Sequence, residues 1–299
     1  MPDRGMDHTD VLARLSPEDK ARLTERSDRK GLVHLAAHIL AIVFFGDLIL
    51  QQVFLWPVIL VVQGILLVFL FTLCHECTHK SPFRSPWINE VVGFLSGAAI
   101  LLPFQWFRYF HLAHHRHTND PENDPELAAP KPETWAGYIL HVSGVPYLVS
   151  QIRTLFRNAL GSPSYDYLPN RARFRIQTEA RALLIVYTLA LTTLLISPAI
   201  LYVWLLPILI GQPFLRLYLL AEHGRCPPVA NMLENTRTTF TNRVVRFLAW
   251  NMPYHIEHHS FPSVPFHALP KLHEHMKDDL VSTSESYRAF TQEYLDDLR

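Results

Sequence analysis

With 299 residues, the chain is long enough for one large domain or two ordinary ones. Hydrophobic residues make up 49% and charged residues only 18%, a shortage of charge that points to a membrane, since soluble domains carry about 25%. The 27 basic and 27 acidic residues cancel, which excludes the basic excess expected of a nucleic-acid-binding protein.

Residues 1–31 are polar and charged (Arg4, Arg14, Lys20, Arg29 and Lys30 among them), which predicts a cytoplasmic segment and no cleavable secretory signal. A spanning helix needs about 20 mostly apolar residues. Residues 32–50 qualify, with His34 and His38 near the start and Asp47 placed at the far interface. Residues 53–73 follow almost at once, so the two spans form a hairpin. Cys74 and Cys77 form a C-x-x-C pair with no second pair, and read as small thiols at a helix end. Residues 88–107 are apolar, but Gly93, Gly97 and Pro103 weaken them as a span and favour a re-entrant or interfacial helix. Residues 135–152 carry the same ambiguity. The stretch 182–220 holds two further crossings, 182–198 and 201–220, turning near Pro198.

Lys and Arg crowd the N-terminal segment, 80–84, 153–181 and everything after 225, and are missing from the two short hairpin loops. By the positive-inside rule both termini and the regions 74–181 and 221–299 face the cytoplasm. The expected fold is an all-α integral membrane protein, a single domain over 32–299. Four transmembrane helices in two hairpins would carry a cytoplasmic, histidine-rich helical cap, an arrangement compatible with a bacterial inner membrane.

Three histidine clusters carry the chemistry: His75-Glu76-Cys77-Thr78-His79, His111-Leu112-Ala113-His114-His115 and His255-Ile256-Glu257-His258-His259. Residues three and four apart share a helix face, so the clusters aim two, three and three imidazoles in one direction each. A catalytic zinc takes three protein ligands and a structural one four. Eight imidazoles therefore point to more than one ion, and suit two redox-active irons with open positions for oxygen better than one closed zinc. The first cluster alone also fits the H-E-x-x-H pattern of a zinc protease, with Glu76 as base. That reading leaves the other six histidines without a role. His117 falls off the shared face. Asp120 and Asp124 are read either as partners that orient ligands or as turn residues, and Glu76 and Glu257 either as carboxylates behind the ligands or as surface glutamates.

The series H-x3-H, H-x2-H-H and H-x2-H-H, with spans between the second and third boxes, resembles the membrane fatty acid desaturase superfamily over residues 32–275. The resemblance implies a di-iron centre, O2 as co-substrate and attack on an unactivated C–H bond. It also adds His223, just after the last span, to His75, His79, His111, His114, His115, His255, His258 and His259 as metal ligands. Acyl-CoA desaturases have an asparagine one turn before that histidine. Here Leu219 stands in its place, and Asn251, one turn before His255, is the candidate substitute.

No haem domain, flavin site or G-x-G-x-x-G fingerprint occurs, so electrons are expected from an external donor of ferredoxin, rubredoxin or cytochrome b5 type. Arg153, Arg157, Arg171, Arg173 and Arg175 are candidates to dock it. A substrate tunnel is expected beside Trp106, Phe107 and Phe110. The phrase from Tyr254 to Pro265 favours an acyl-lipid desaturase. A hydroxylase or ketolase of alkane, sphingolipid or carotenoid type shares the same boxes. A zinc intramembrane protease and a non-catalytic metal-binding or transport protein are the more distant alternatives.

Overall fold

The computed structural model describes residues 6–299, so Arg4 lies outside the described residues. The described chain is helical apart from two two-residue strands. Two short capped helices, His8–Ala13 and Pro17–Leu23, lead into α1 (Asp28–Leu50), whose first turn is capped by the Ser27 hydroxyl accepting from the Lys30 amide. At about 1.5 Å per residue its 23 residues cover about 34 Å, enough for a bilayer core.

After a turn that leaves Phe54 exposed, α2 (Trp56–Val68) and α3 (Leu70–His79) continue as one apolar rod of 24 residues. The rod is interrupted only at Phe69, whose carbonyl accepts from the Thr72 hydroxyl. It ends where Lys80 takes a left-handed conformation, φ +57°. Helix therefore continues six residues past Leu73, and the first histidine box is the last turn and a half of this rod.

The apolar stretch over 88–107 is broken. α4 (Pro86–Ala99) and α5 (Phe104–His117) meet at 101°, across a corner where Leu101 has φ +62°. The stretch over 135–152 also breaks, into α6 (Trp135–Val142) and α7 (Val145–Leu160), at Gly144 with φ +71°. Two more long apolar helical segments follow, Asn170–Leu195, containing α8 (Arg173–Thr192), and Leu201–His223, containing α9 (Leu206–His223). Among the described residues four helical segments are long and apolar enough to cross a membrane, five if the bent α4–α5 pair is one. Val43, Phe44, Ile185, Leu189 and Ile196 leave their outer faces apolar and exposed, as lipid contact requires.

α9 runs along α2, backbone against backbone. A Cβ on Gly64 would sit 2.4 Å from the Pro207 carbonyl oxygen, and one on Gly211 would sit 2.4 Å from that of Gly64. Small residues at such a crossing are the usual device for close packing in lipid. α8 packs instead against α7, and its Tyr187 hydroxyl donates to the Ala98 carbonyl while Trp204 Nε1 donates to that of Ala99. Two span residues thereby satisfy the free carbonyls at the end of α4.

Beyond α9 the chain folds back under the helices. β1 (Thr238–Thr239) pairs in parallel with β2 (Thr283–Ser284), and α10 (His255–Ser260), α11 (Leu269–Met276) and α12 (Tyr287–Asp296) close the end. Leu233, Met252, Ile256, Leu269, Leu272 and Met276 form a fully buried apolar cluster behind α10. A second cluster around Phe83, Phe104 and Trp250 backs α3 and α5. The histidine-bearing helices are therefore held rigidly from both sides.

Candidate metal centre

Four helices meet. α3 supplies His75 and His79, α5 supplies His111, His114 and His115, and α10 supplies His255, His258 and His259; His223 enters from the last turn of α9. All nine side chains that the sequence nominates converge. They form two neighbouring sets. His75, His79, His111, His115 and His258 bring one ligand nitrogen each to within 4.8 Å of one another, and His114, His223 and His259 do the same. His255 joins the second set through Nε2, 3.1 Å from Nε2 of His223. The sets abut where the His115 and His259 rings stack at 4.0 Å.

The surroundings fix which nitrogen faces inward. His114 Nδ1 donates to Asp124, 3.0 Å from both carboxylate oxygens, so its Nε2 is left to the centre. His223 Nδ1 donates to the Asn235 carbonyl at 3.2 Å. His259 Nδ1 donates to the Thr118 hydroxyl at 3.1 Å, and that hydroxyl donates onward to the His114 carbonyl at 2.9 Å. Pinning one ring nitrogen so that the other carries an inward lone pair is the usual arrangement behind metal-bound histidines.

Whether the residues fit a metal is testable on their own chemistry. Six buried nitrogens, Nδ1 and Nε2 of His115 and of His258, His255 Nδ1 and His259 Nε2, have no hydrogen-bond partner. An unmet buried polar atom costs about 1–3 kcal/mol. These six belong to four rings, each with one N–H and one lone pair when neutral, and so many unmet lone pairs in one place are tolerable only if a metal accepts them. Burial first, and then the neighbouring imidazoles, hold His255, His258 and His259 well below the ordinary histidine range, and therefore neutral and able to ligate. The donor set fits two ions of a nitrogen-preferring metal such as iron or zinc.

The residues beside the ligands sort themselves. Glu76 is fully buried behind His258: its Oε2 accepts from Ser81 Oγ at 3.1 Å and from the Phe266 amide at 3.0 Å, and its Oε1 lies 3.6 Å from His258 Nδ1. A protease base must face the metal-bound water, whereas Glu76 stands behind the His258 ring. Glu257, also fully buried, accepts from Thr238 Oγ1 at 2.6 Å and pairs with His273. Asp124 is buried under His114, whereas Asp120 lies in the turn beyond it and binds the Glu122 amide and Asn123. His117 stays at the edge, 3.9 Å from Asp120. Asn251 is committed to the Phe266 carbonyl at 3.0 Å. His34 and His38 bind the carbonyls of Phe247 and Leu66 and take no part.

Sequence reasoning missed Glu126 and Lys131. Glu126 Oε2 lies 3.6 Å from His114 Nε2, while Oε1 is held by Lys131 Nζ at 3.0 Å. Burial pushes the Glu126 carboxyl up, but Lys131, His114 and His223 outweigh it and hold the group well below the usual carboxylate range. The acidic side chain reaches the second histidine set through the short helix Pro125–Ala128, whose first amide turn is capped by Asp124. A motif search could not have found it, because only the fold brings the loop back over His114.

A cavity of about 440 Å³ opens on the histidines. Phe71, Trp106, Phe107, Phe110 and Leu219 make its apolar wall, and His75, His111, His114, His223 and His255 reach it. Of the five candidate docking arginines, Arg153, Arg157, Arg171 and Arg175 are exposed and Arg173 is half-buried.

The family model for fatty acid desaturases matches residues 12–291. A fatty acid conjugase from Calendula officinalis is 40% identical over 91 residues, 30% of this chain and 24% of that protein. A bifunctional fatty acid conjugase/Delta(12)-oleate desaturase from Punica granatum is 28% identical over 56% of this chain and 48% of its own length. An sn-1 oleoyl-lipid 12-desaturase from a Synechocystis strain is 23% identical over 90% of this chain and 81% of its own. The chain thus spans less than half the length of the first two relatives and most of the third.

Proposed function

Because the chain belongs to the fatty acid desaturase family, we propose that it is an O2-dependent di-iron oxidoreductase that introduces a C=C bond into a fatty acyl chain, most plainly one carried by a lipid. The observation that carries this reading is the convergence of nine imidazoles, seven buried and two (His79 and His115) half-buried, in sets of five and four, on the end of an apolar cavity. His75, His79, His111, His115 and His258 would hold one iron, and His114, His223, His255 and His259 the other. Bound iron would supply the capacity to reduce and activate O2 that no side chain has. Net, two hydrogens leave the acyl chain and, with two electrons and two protons from outside, reduce one O2 to two waters.

The protein's own work is positional. Asp124, the Asn235 carbonyl and Thr118 orient three imidazoles, and Glu126 sets a negative charge beside the four-histidine set. Phe71, Trp106, Phe107 and Phe110 exclude water and hold the chain at the histidines. Electrons come from a separate donor of ferredoxin, rubredoxin or cytochrome b5 type, docking among the exposed arginines of 153–175. The spans form two hairpins across the membrane, with both termini and the histidines on the cytoplasmic side, because Lys and Arg gather there. Residues 32–299 act as one domain.

Lipid mass spectrometry of cells expressing the chain tests this. Desaturation yields acyl chains two hydrogens lighter, and His258→Ala abolishes them. Chains one oxygen heavier would instead identify a hydroxylase, and full activity in His258→Ala would refute the metal assignment.

A further inference from the structure

Arg216 lies on α9, seven residues before His223 and so about 10 Å deeper along the helix. It is 7% exposed, inside a segment apolar enough to span a membrane. An ionisable side chain at such a place is costly unless paired, and marks function more often than stability. Among the described residues no carboxylate pairs with it. The two acidic residues on the same cavity wall are engaged: Glu126 with Lys131 at 3.0 Å, Glu222 facing His255 Nδ1 at 3.5 Å. The guanidinium instead stacks over the Tyr147 ring, 3.9 Å from its centroid. That contact satisfies its face and leaves its edge free.

The free edge is specific. Nε and Nη2 are both buried and both without a hydrogen-bond partner. These two nitrogens form the side-on fork of arginine, whose parallel N–H groups match two oxygens on one carbon or phosphorus. Three further polar atoms on the same cavity wall are equally unmet: the Tyr147 hydroxyl, His141 Nε2 and Gln151 Oε1. Local structure explains how they arrive. Gly144, at φ +71°, turns the chain between α6 and α7, and its missing Cβ lets the corner seat on Gln212, which a Cβ would meet at 2.4 Å. One turn of α9 separates Gln212 from Arg216, so the corner carries His141 and Tyr147 in beside the guanidinium.

A cavity that is aromatic near the histidines and holds an unmet donor fork elsewhere on its wall is built for an amphipathic ligand with one oxygen-bearing end. We propose that Arg216, with Tyr147 and His141, binds the carboxyl-derived group of the acyl substrate, either a free carboxylate or the ester of an acyl lipid, and so anchors the head of the chain whose tail lies along Trp106, Phe107 and Phe110. This rests on the acyl-desaturase reading and names the group by which that substrate is recognised. Phosphate would satisfy the fork as well, but it would leave the adjoining aromatic wall uncovered.

Binding of three radiolabelled probes to the full-length purified protein in detergent tests the assignment: oleic acid, methyl oleate and cis-9-octadecene, which has the chain without the head. The wild type should retain at least one oxygenated probe about tenfold or more better than the hydrocarbon. Retention of the acid alone identifies a carboxylate site, and retention of both identifies an ester carbonyl site. Arg216→Leu should erase the preference, Arg216→Lys should narrow it by removing the fork while keeping the charge, and Tyr147→Phe should reduce it several-fold. Metal content should stay as in the wild type in all three. Equal retention of all probes by the wild type, or undiminished preference in Arg216→Lys and Tyr147→Phe, would overturn the assignment while leaving the desaturase reading intact. Retention of none of the three would overturn both.

Discussion

Asp120 and Asp124 sit four residues apart in one loop, and the structure gives them opposite fates. Asp124 is buried, and its two oxygens accept His114 Nδ1–H at 3.0 Å, the Asn119 amide at 2.8 Å and the Glu126 amide at 2.9 Å. Asp124→Asn keeps the shape but turns one oxygen into an NH2 that must face an N–H donor. It also removes the charge that sets the His114 tautomer. A hydrogen bond to a charged group is worth about 1.5–3 kcal/mol, and loss of a carboxylate behind a metal-bound histidine typically weakens metal binding about ten- to a hundredfold. Competition against a ferrous chelator should show a loss of that size for Asp124→Asn, confined to one of the two irons. Asp120→Asn, which disturbs only an exposed turn, should change stability by about 0.5 kcal/mol or less and leave both irons in place. Wild-type chelator resistance in Asp124→Asn, or an equal loss in Asp120→Asn, would refute the reasoning.

The α2–α9 contact makes a second expectation: Gly211→Val places a side chain against the Gly64 carbonyl and should lower thermal stability in detergent by about 1–3 kcal/mol, or more if the helices separate. Thr118→Val removes the acceptor of His259 Nδ1–H and the donor to the His114 carbonyl, and should weaken iron retention with little change in helix content by circular dichroism. Acidity acts through His255, His258 and His259, whose pKa values burial holds below that of the unfolded chain. Between those values and about 6.5 the unfolded state binds more protons. Metal-free protein should therefore be fully stable above about pH 6.5, and lose up to about 1.4 kcal/mol per pH unit per histidine below it. A melting temperature flat from pH 7 to 5 in stripped protein would contradict this.

Much of the site is legible in the sequence because its ligands are local patterns. H-x3-H and H-x2-H-H fix a common direction on any helix, so eight of the nine converging histidines follow from spacing alone, and His223 from resemblance. What stands behind them is not local. Spacing cannot separate Asp124 from Asp120, since burial under His114 depends on how the loop folds back. Glu76 and Glu257 are buried rather than surface residues, because Ser81 just beyond the first box, the remote Phe266 amide and Thr238 meet their carboxylates. Glu126 and Lys131 lie in a loop without periodicity of its own, and Arg216, although inside a span, meets the cavity's other polar groups only through the corner at Gly144. The fold shows the same division. Long apolar runs identify the spans, but the 101° corner between α4 and α5 depends on Leu101 accepting a left-handed conformation, which its composition gives no reason to expect. The continuation of helix from Leu73 to His79 is equally hidden by the polar residues of the first box.

Metal content per chain is the most direct measurement of the central claim, that nine histidines form two adjoining iron sites. Elemental analysis of protein purified from iron-supplied cells should find two irons per chain, falling by at least one in His258→Ala and, independently, in His223→Ala. A single zinc per chain, or two irons undiminished in both variants, would contradict the account.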